Sequence, residues 1–264
     1  MVIMSKQKIT LGSMEISLLS SLEHDKKTVF YFADALARID TTRQVVRNVL
    51  SRLAKKGRIK RIKKGVYLLV PFRFRDYGQH EFSLLPLFTK EYYISFWSAL
   101  YFWSLTEQLP RTIYAAVRKS VKTRDFEEVR YRFVKLSGRY FFGFEEIEIQ
   151  GANVTIASKE KTILDCLLHP EHCGGLGEVA KALRDYWGDM DWGRLRQYLE
   201  KMNNSAVERR LLYIISWLKL KGPLSGFAKK KFAGFRKLCP GAGKGKYDRE
   251  FGLIINVDLG DEML

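Results

Sequence analysis

The residues of this chain with the clearest capacity for chemistry are the lysines and arginines between Thr41 and Arg75. That window contains twelve Lys or Arg residues and no Asp or Glu, while the whole 264-residue chain has a formal net charge of +17. Positive charge concentrated on so short a segment favours binding to a polyanion. Its pattern, a helix followed by a β-hairpin, predicts that the polyanion is duplex DNA.

The first half of this basic window has the pattern of an amphipathic helix. Asp40, Thr41 and Thr42 each offer a side-chain oxygen that can cap a helix start, and Gly57 predicts the end of the helix. Apolar residues recur at i, i+3, i+4 and i+7, namely at Val46, Val49, Leu50 and Leu53. The opposite face carries side chains that can hydrogen-bond base edges in the major groove. The base-reading candidates are Arg43, Gln44, Arg47, Asn48 and Ser51.

The second half, Arg58 to Val70, predicts two short strands joined at Lys63-Lys64-Gly65, where Gly65 supplies the positive φ of a tight turn. A basic hairpin directly after a basic helix is typical of a winged helix-turn-helix, in which the hairpin lies along the phosphate backbone. The candidates for phosphate contacts are Arg52, Lys55, Lys60, Arg61, Lys63, Lys64 and Tyr67.

The elements around this window predict two domains and an α+β fold. Met14–Leu22 and Phe32–Ile39 have the pattern of two supporting helices, which completes an N-terminal winged helix-turn-helix at residues 1–72. Residues 73–264 predict a mixed α+β domain, because stretches rich in β-branched and aromatic residues alternate with capped helical patterns. The predicted strands are Thr112–Val117, Val129–Leu136, Glu145–Gln150 and Val154–Ala157.

Composition narrows the class of protein. The sequence pI is about 9.7, and the three cysteines are an odd number, which argues against a disulfide framework and suits a reducing cytoplasm. Met1–Thr10 lacks the pattern of a secretion signal, and the uncharged run Tyr92–Thr106 is short of a membrane span. We therefore expect a cytoplasmic protein without a membrane partner.

Other clusters of reactive residues predict neither a metal nor a catalytic site. Cys166, His169, His172 and Cys173 lie within eight residues, but four ligands at one helix end are hard to arrange around a tetrahedral zinc ion. Gly241–Lys246 lacks the spacing and context of a phosphate-binding loop. The carboxylates Glu145, Glu146 and Glu148 would lie along one strand without a nucleophile–base pair. We expect no enzyme activity and no cofactor.

A second set of basic residues leaves two interpretations open, either an ordinary solvated sheet edge or an accessory patch for DNA or RNA. Its members are Arg111, Arg118, Lys119, Lys122, Arg124, Arg130, Arg132 and Lys135.

Three segments in order resemble the AbiEi-type antitoxin family of phage-defence and type IV toxin–antitoxin operons. They are "LAKKGRIKRIKKGVYLLVP", "YYISFWSALYFWSL" and "TIASKEKTILDCLLHPEHCGG". The resemblance implies a recognition helix at Arg43–Lys56, a wing at Arg58–Tyr67 and a C-terminal hallmark at Ser158–Gly175. It further implies a repressor that binds inverted repeats in its own operator. Its C-terminal domain would counteract a nucleotidyltransferase-like toxin without a stable complex.

The sequence thus predicts a DNA-binding transcriptional repressor, with the antitoxin role resting on the resemblance. Two alternatives stay open. One is a defence-system nuclease or nucleotide-modifying enzyme that uses the winged helix for targeting. The other is an RNA-binding regulator.

Overall fold

The computed structural model describes residues 10–25, 27, 29–70, 80–126, 129–149, 152–221, 232–241 and 243–260. The chain divides into two compact units, Met1–Tyr77 and Gly78–Leu264, called here unit 1 and unit 2. Both units combine helices with β-sheet, so the fold class is mixed α+β. The boundary predicted between residues 72 and 73 lies outside the described residues.

Unit 1 combines helices with a three-stranded antiparallel sheet whose strand order is β1-β3-β2. Its elements are α1 (Ser13–His24), β1 (Val29–Tyr31), α2 (Phe32–Arg38), α3 (Arg43–Lys55), β2 (Ile59–Lys63) and β3 (Val66–Leu69). The predicted helices and the hairpin are confirmed. The turn lies at Lys64-Gly65, and Gly65 has a φ of +77°, which is why glycine suits this position.

The apolar stripe of α3 lies in the core of unit 1, where Val46, Val49 and Leu53 are fully buried. It packs with Leu18 and Leu22 of α1, and its burial confirms the apolar stripe that the periodicity predicted. Strand β1 was not predicted, because its three residues become a strand only by pairing with β3, from Val29 opposite Leu68 to Tyr31 opposite Val66.

Unit 2 contains a six-stranded mixed sheet and a smaller three-stranded sheet. The order in the larger sheet is β6-β7-β5-β4-β9-β8, with β4–β9 and β5–β7 parallel. Its strands are β4 (Tyr92–Ile94), β5 (Thr112–Val117), β6 (Arg124–Phe126), β7 (Val129–Lys135), β8 (Phe144–Ile149) and β9 (Ala152–Ala157). The four longer strands confirm the predicted ones within two residues at each end.

The α-helices of unit 2 are α4 (Leu85–Phe88), α5 (Phe96–Phe102), α6 (Lys159–Leu168), α7 (Leu176–Tyr186), α8 (Trp192–Met202) and α9 (Ser205–Trp217). Four of them, namely α5, α7, α8 and α9, pack against α6. The smaller sheet is formed by β10 (Arg236–Lys237), β11 (Lys246–Asp248) and β12 (Leu253–Ile255). Ser158 caps α6 by accepting from the Lys161 N–H, and α6 is buried from Glu160 to Leu167.

A polar network lies inside the core of unit 2. Lys161 and Asp165 are fully buried on α6 and form an ion pair one helical turn apart. Asp165 also accepts from the Tyr93 hydroxyl at 3.0 Å and from Ser95 Oγ at 2.8 Å, and Lys161 Nζ donates to the Tyr93 oxygen at 3.0 Å. Because each polar group has a partner, the network joins α6 to β4 without leaving an unpaired buried charge.

None of the described helices combines the length and the apolar character that crossing a membrane requires.

Candidate nucleic-acid interface

Helix α3 presents the five base-reading candidates on its exposed face. Thr42 caps the helix by accepting from the Val45 N–H at 3.4 Å. The apolar stripe faces the core, so the polar face is directed outward. All five of these side chains are exposed: Arg43, Gln44, Arg47, Asn48 and Ser51.

Three of these side chains form a short chain of hydrogen bonds along the helix. Arg47 Nη1 donates to Gln44 Oε1 at 3.3 Å, and Gln44 Nε2 donates to Asn48 Oδ1 at 3.3 Å. Amide and guanidinium groups are the ones that pair with adenine and guanine edges. These exposed contacts can be exchanged for bonds to bases, since solvated hydrogen bonds contribute little to folding stability.

The β2–β3 hairpin carries the second group of candidates and is held at its tip. The Phe32 N–H at the start of α2 donates to the Gly65 carbonyl at 2.8 Å. Around this turn Arg61, Lys63 and Lys64 are exposed, and Lys60 is half-buried. The hairpin therefore presents its charges from a defined position in unit 1.

Arg52 of α3 and Lys56, which follows the helix as its C-cap, both contact Glu15 of α1, whose side chain is only 2% exposed. The Glu15 carboxylate contacts Arg52 Nε at 3.2 Å and accepts from Lys56 Nζ at 2.6 Å and from the Gly12 N–H at 2.8 Å. Burial alone would raise the pKa of Glu15, but these donors and charges hold the pKa below its usual value. Arg52, a predicted phosphate contact, is exposed but thus already has a carboxylate partner. Lys55, the next phosphate candidate on α3, is exposed as well.

Tyr67, another predicted phosphate contact, is half-buried. Its ring stacks on Phe30, with centroids 5.6 Å apart and planes at 22°, and it packs against the core of unit 1. This contact gives the tyrosine a structural role, because its ring covers the core behind the hairpin.

The second basic set lies on unit 2, at and near the β6 edge of the larger sheet. All eight of its side chains are exposed. Among the described residues, two of them have carboxylate partners, since Arg130 pairs with Asp125 at 2.8 Å and Arg118 lies 3.9 Å from Glu91. Exposed ion pairs of this kind contribute little to stability and can be exchanged for other partners. With eight cations and these two carboxylates, the edge keeps a net positive charge.

The structure separates the cysteines from the histidines of the Cys166–Cys173 segment. Cys173 Sγ is directed at the backbone carbonyls of Cys166, His169 and Pro170, and burial raises the pKa of the Cys166 thiol.

Within the described residues, the possible ligand atoms that do converge belong to His169, Glu171 and His172, all within 4.8 Å of one another. Burial lowers the pKa of His172, which leaves a neutral imidazole. Imidazole and carboxylate donors suit a divalent transition metal, and Glu171 is the member that spacing alone did not suggest.

A small cleft in unit 2, about 220 Å³ in volume, was missed from the sequence. Its lining residues are Trp103, Glu145, Ser158, Lys159, Glu160, Tyr186 and Arg194. Glu160 is 1% exposed and accepts from the Tyr186 hydroxyl at 2.8 Å, while burial and this carboxylate raise the pKa of Tyr186. Glu146 and Glu148 lie instead on β8, opposite Thr155 and Asn153. The carboxylates considered for catalysis therefore do not share one cleft.

A comparison with solved structures finds a protein of similar fold. The chain is similar to a solved structure titled "Crystal structure of RV2827C protein from Mycobacterium tuberculosis", with a TM-score of 0.66 and 13% sequence identity. The similarity covers 93% of this chain and 92% of that chain. At this identity the likeness shows a shared α+β fold and no more. No family profile matches the sequence, and no curated protein matches it at a significant level.

Proposed function

We propose that this chain is a cytoplasmic, sequence-specific DNA-binding repressor and that unit 1 is a winged helix-turn-helix. The observation that carries the proposal is the exposed polar face of α3 beside a basic hairpin in one small unit. A helix in the major groove reads bases while an adjacent hairpin contacts phosphates. The thirteen residues of α3 span roughly 20 Å, which is enough to follow the groove across several base pairs.

The two groups of candidates have different tasks in this proposal. Arg43, Gln44, Arg47, Asn48 and Ser51 discriminate between bases, and the cations at the end of α3 and on the hairpin hold the backbone. We assume that the five phosphate-contact candidates other than Arg52 each neutralise one phosphate. A plot of the logarithm of the binding constant against the logarithm of the salt concentration then has a slope of about −4.5. Those five are Lys55, Lys60, Arg61, Lys63 and Lys64.

The experiment is a binding titration of the full chain against the DNA upstream of its own gene and against a shuffled duplex. It is repeated across about 50–200 mM salt, where a slope of this size corresponds to roughly 500-fold in affinity. Preference for the native fragment that persists at high salt supports the repressor. Equal and steeply salt-dependent binding to both duplexes would leave only a phosphate-binding unit.

Two variants separate base reading from phosphate contact. Arg47→Ala should cost ~1–3 kcal/mol and relax the preference at one base position. Lys63→Ala should weaken both duplexes alike and reduce the salt slope by about one. Lys90→Ala, an exposed lysine of unit 2, is the matched control and should change neither quantity. The same uniform loss in both test variants would refute the division of tasks.

We further propose, from the resemblance to AbiEi-type proteins, that the repressor is the antitoxin of its operon and that unit 2 counteracts the toxin. Coexpression with the product of the neighbouring gene tests this role directly. Growth arrest by the neighbour alone, relieved by this chain, is the expected result. A harmless neighbour, or no relief, would remove the antitoxin role and leave the repressor intact.

The same preparations discriminate the enzyme and RNA alternatives. Incubation of DNA, RNA and nucleotides with magnesium or manganese should give no turnover. Competition between operator duplex and structured RNA should favour the duplex. Metal-dependent turnover that is lost in Glu146→Gln or Glu148→Gln would favour the nuclease instead.

A further inference from the structure

The smaller sheet of unit 2 carries an exposed face whose composition differs from that of an ordinary protein surface. Strand β12 is central, with β10 parallel to it on one side and β11 antiparallel on the other. Leu253 is fully buried, so its side of the sheet faces the core. The next row across the strands, Lys237–Ile254–Tyr247, therefore lies on the opposite side.

Two aromatic rings stand on this outer face. Tyr247 is 67% exposed and Phe235 is 39% exposed, and their ring centroids are 4.9 Å apart with planes at 85°. Aromatic side chains normally lose much of their surface to the core, so two adjacent exposed rings indicate a contact surface.

Exposed basic side chains lie on the outer strands and in the segments beside them, and Lys237 shares the cross-strand row of Tyr247. The exposed cations of the two outer strands and their flanks are Arg236, Lys237, Lys244, Lys246 and Arg249. Of the two acidic residues in the same stretch, Asp248 accepts from the Phe251 N–H at 2.9 Å, and Glu250 is exposed. Arg236 pairs with Leu253 and Lys246 with Ile255, so these two cations lie on the other side of the sheet from Tyr247. The region around the rings thus has a net positive charge, and Lys237 lies on the aromatic face itself.

Two buried arginines of α9 fix the position of this sheet. Arg209 donates to the carbonyls of Ala233, Gly234 and Gly252, at 2.7–2.8 Å. Arg210 donates to the Leu238 carbonyl at 2.8 Å and to the Lys237 carbonyl at 3.2 Å. The backbone under the aromatic face is thus anchored to the core of unit 2, and the rings are presented from a rigid support.

We propose that the face that carries Phe235, Tyr247 and Lys237 binds single-stranded nucleic acid, and that the cations of the neighbouring segments add positive charge around it. Unstacked bases stack on exposed aromatic rings while cations follow the phosphates, and both groups are present here in one patch. Bases inside a duplex are already stacked and cannot use the rings. The site lies in unit 2 and is independent of the duplex-binding proposal for unit 1.

The test measures binding of the full chain to fluorescein-labelled dT15 and U15 by anisotropy at 150 mM salt. Tyr247→Ala and Phe235→Ala should each weaken binding by about fivefold or more, the usual effect of losing one stacked base. Tyr247→Phe keeps the ring and should stay within about twofold of the parent chain. Leu109→Ala removes an equally exposed apolar side chain elsewhere in unit 2 and is the matched control.

A second measurement locates the contact. Oligonucleotides with 5-iodouracil should crosslink on irradiation to Tyr247 or Phe235, as mapped by mass spectrometry, while unit 1 residues crosslink to duplex. Crosslinks confined to unit 1, or single-strand affinity unchanged in the double alanine variant, would overturn the proposal. Competition by polyglutamate as effective as that by poly(U) would also overturn it, because the face would then select acidic chains in general.

Discussion

Asp165→Asn tests whether the buried polar network holds unit 2 together. Asparagine keeps the size of the side chain and an oxygen for the donors from Tyr93 and Ser95. It removes the charge opposite Lys161, whose ammonium is fully buried. We expect the free energy of unfolding of unit 2 to be ~3–5 kcal/mol lower in the variant than in the parent chain, because the buried Lys161 ammonium is left without its counter-charge.

Tryptophan fluorescence is a suitable assay, because all five tryptophans lie in unit 2. They are Trp97, Trp103, Trp187, Trp192 and Trp217. Urea unfolding followed by this signal at pH 7 therefore reports unit 2 alone, whatever unit 1 does. Asp185→Asn is the matched control, since Asp185 is exposed and pairs with exposed Arg184, and its change should stay within about 0.5 kcal/mol.

The double variant Lys161→Met/Asp165→Asn isolates the role of charge. It should be more stable than Asp165→Asn alone, because methionine replaces the stem of the lysine without leaving an ammonium unpaired. The single variant should also recover stability as pH rises from 7 towards 10. Burial already lowers the pKa of Lys161, so between the folded and unfolded pKa values the unfolded chain binds more protons. A cost below about 1 kcal/mol, or a double variant no more stable than the single one, would refute the reasoning.

Three further changes test other contacts. Burial raises the pKa of Glu81 to about 7 against an unfolded value near 4.5. The folded chain therefore binds more protons in this range, and the stability of unit 2 should fall as the pH rises from about 4.5 to 7. Glu81→Gln should abolish that fall, as measured by urea midpoints at pH 5 and 8. Glu15→Gln should destabilise unit 1 by ~1–2 kcal/mol at pH 7 through the loss of its bonds to Lys56 and Arg52, as measured by hydrogen exchange in α3. Gly65→Ala, at a φ of +77°, should cost ~1–2 kcal/mol by the same method and weaken duplex binding.

The pH dependence of Glu15 is opposite in sign to that of Glu81. The pKa of Glu15 is lowered by folding, so its contribution is present above pH 4.5 and is lost as pH falls through the folded pKa. Glu15→Gln should therefore flatten the acid limb of the stability of unit 1. An unchanged acid limb, or an unchanged Glu81→Gln profile between pH 5 and 8, would contradict the assigned contacts.

Local patterns predicted much of the fold and of the unit 1 surface. The cap at Thr42, the stripe of Val46 and Val49, and the turn at Gly65 each depend on residues within a few positions of one another, so the sequence encodes them directly. For the same reason the exposed face of α3 could be assigned residue by residue.

Contacts between distant residues could not be read in this way. The Glu15–Lys56 bond joins residues 41 positions apart, and the parallel pairing of β5 with β7 has no local signal. Similarly, Phe235 and Tyr247 became one aromatic surface only because β12 brings β10 and β11 together. The sequence by itself determined helices, turns and charge, since these arise from neighbouring residues. Tertiary structure alone decided which charges are paired, which rings are exposed and which carboxylates share a cleft, because each of these depends on the packing of the whole chain.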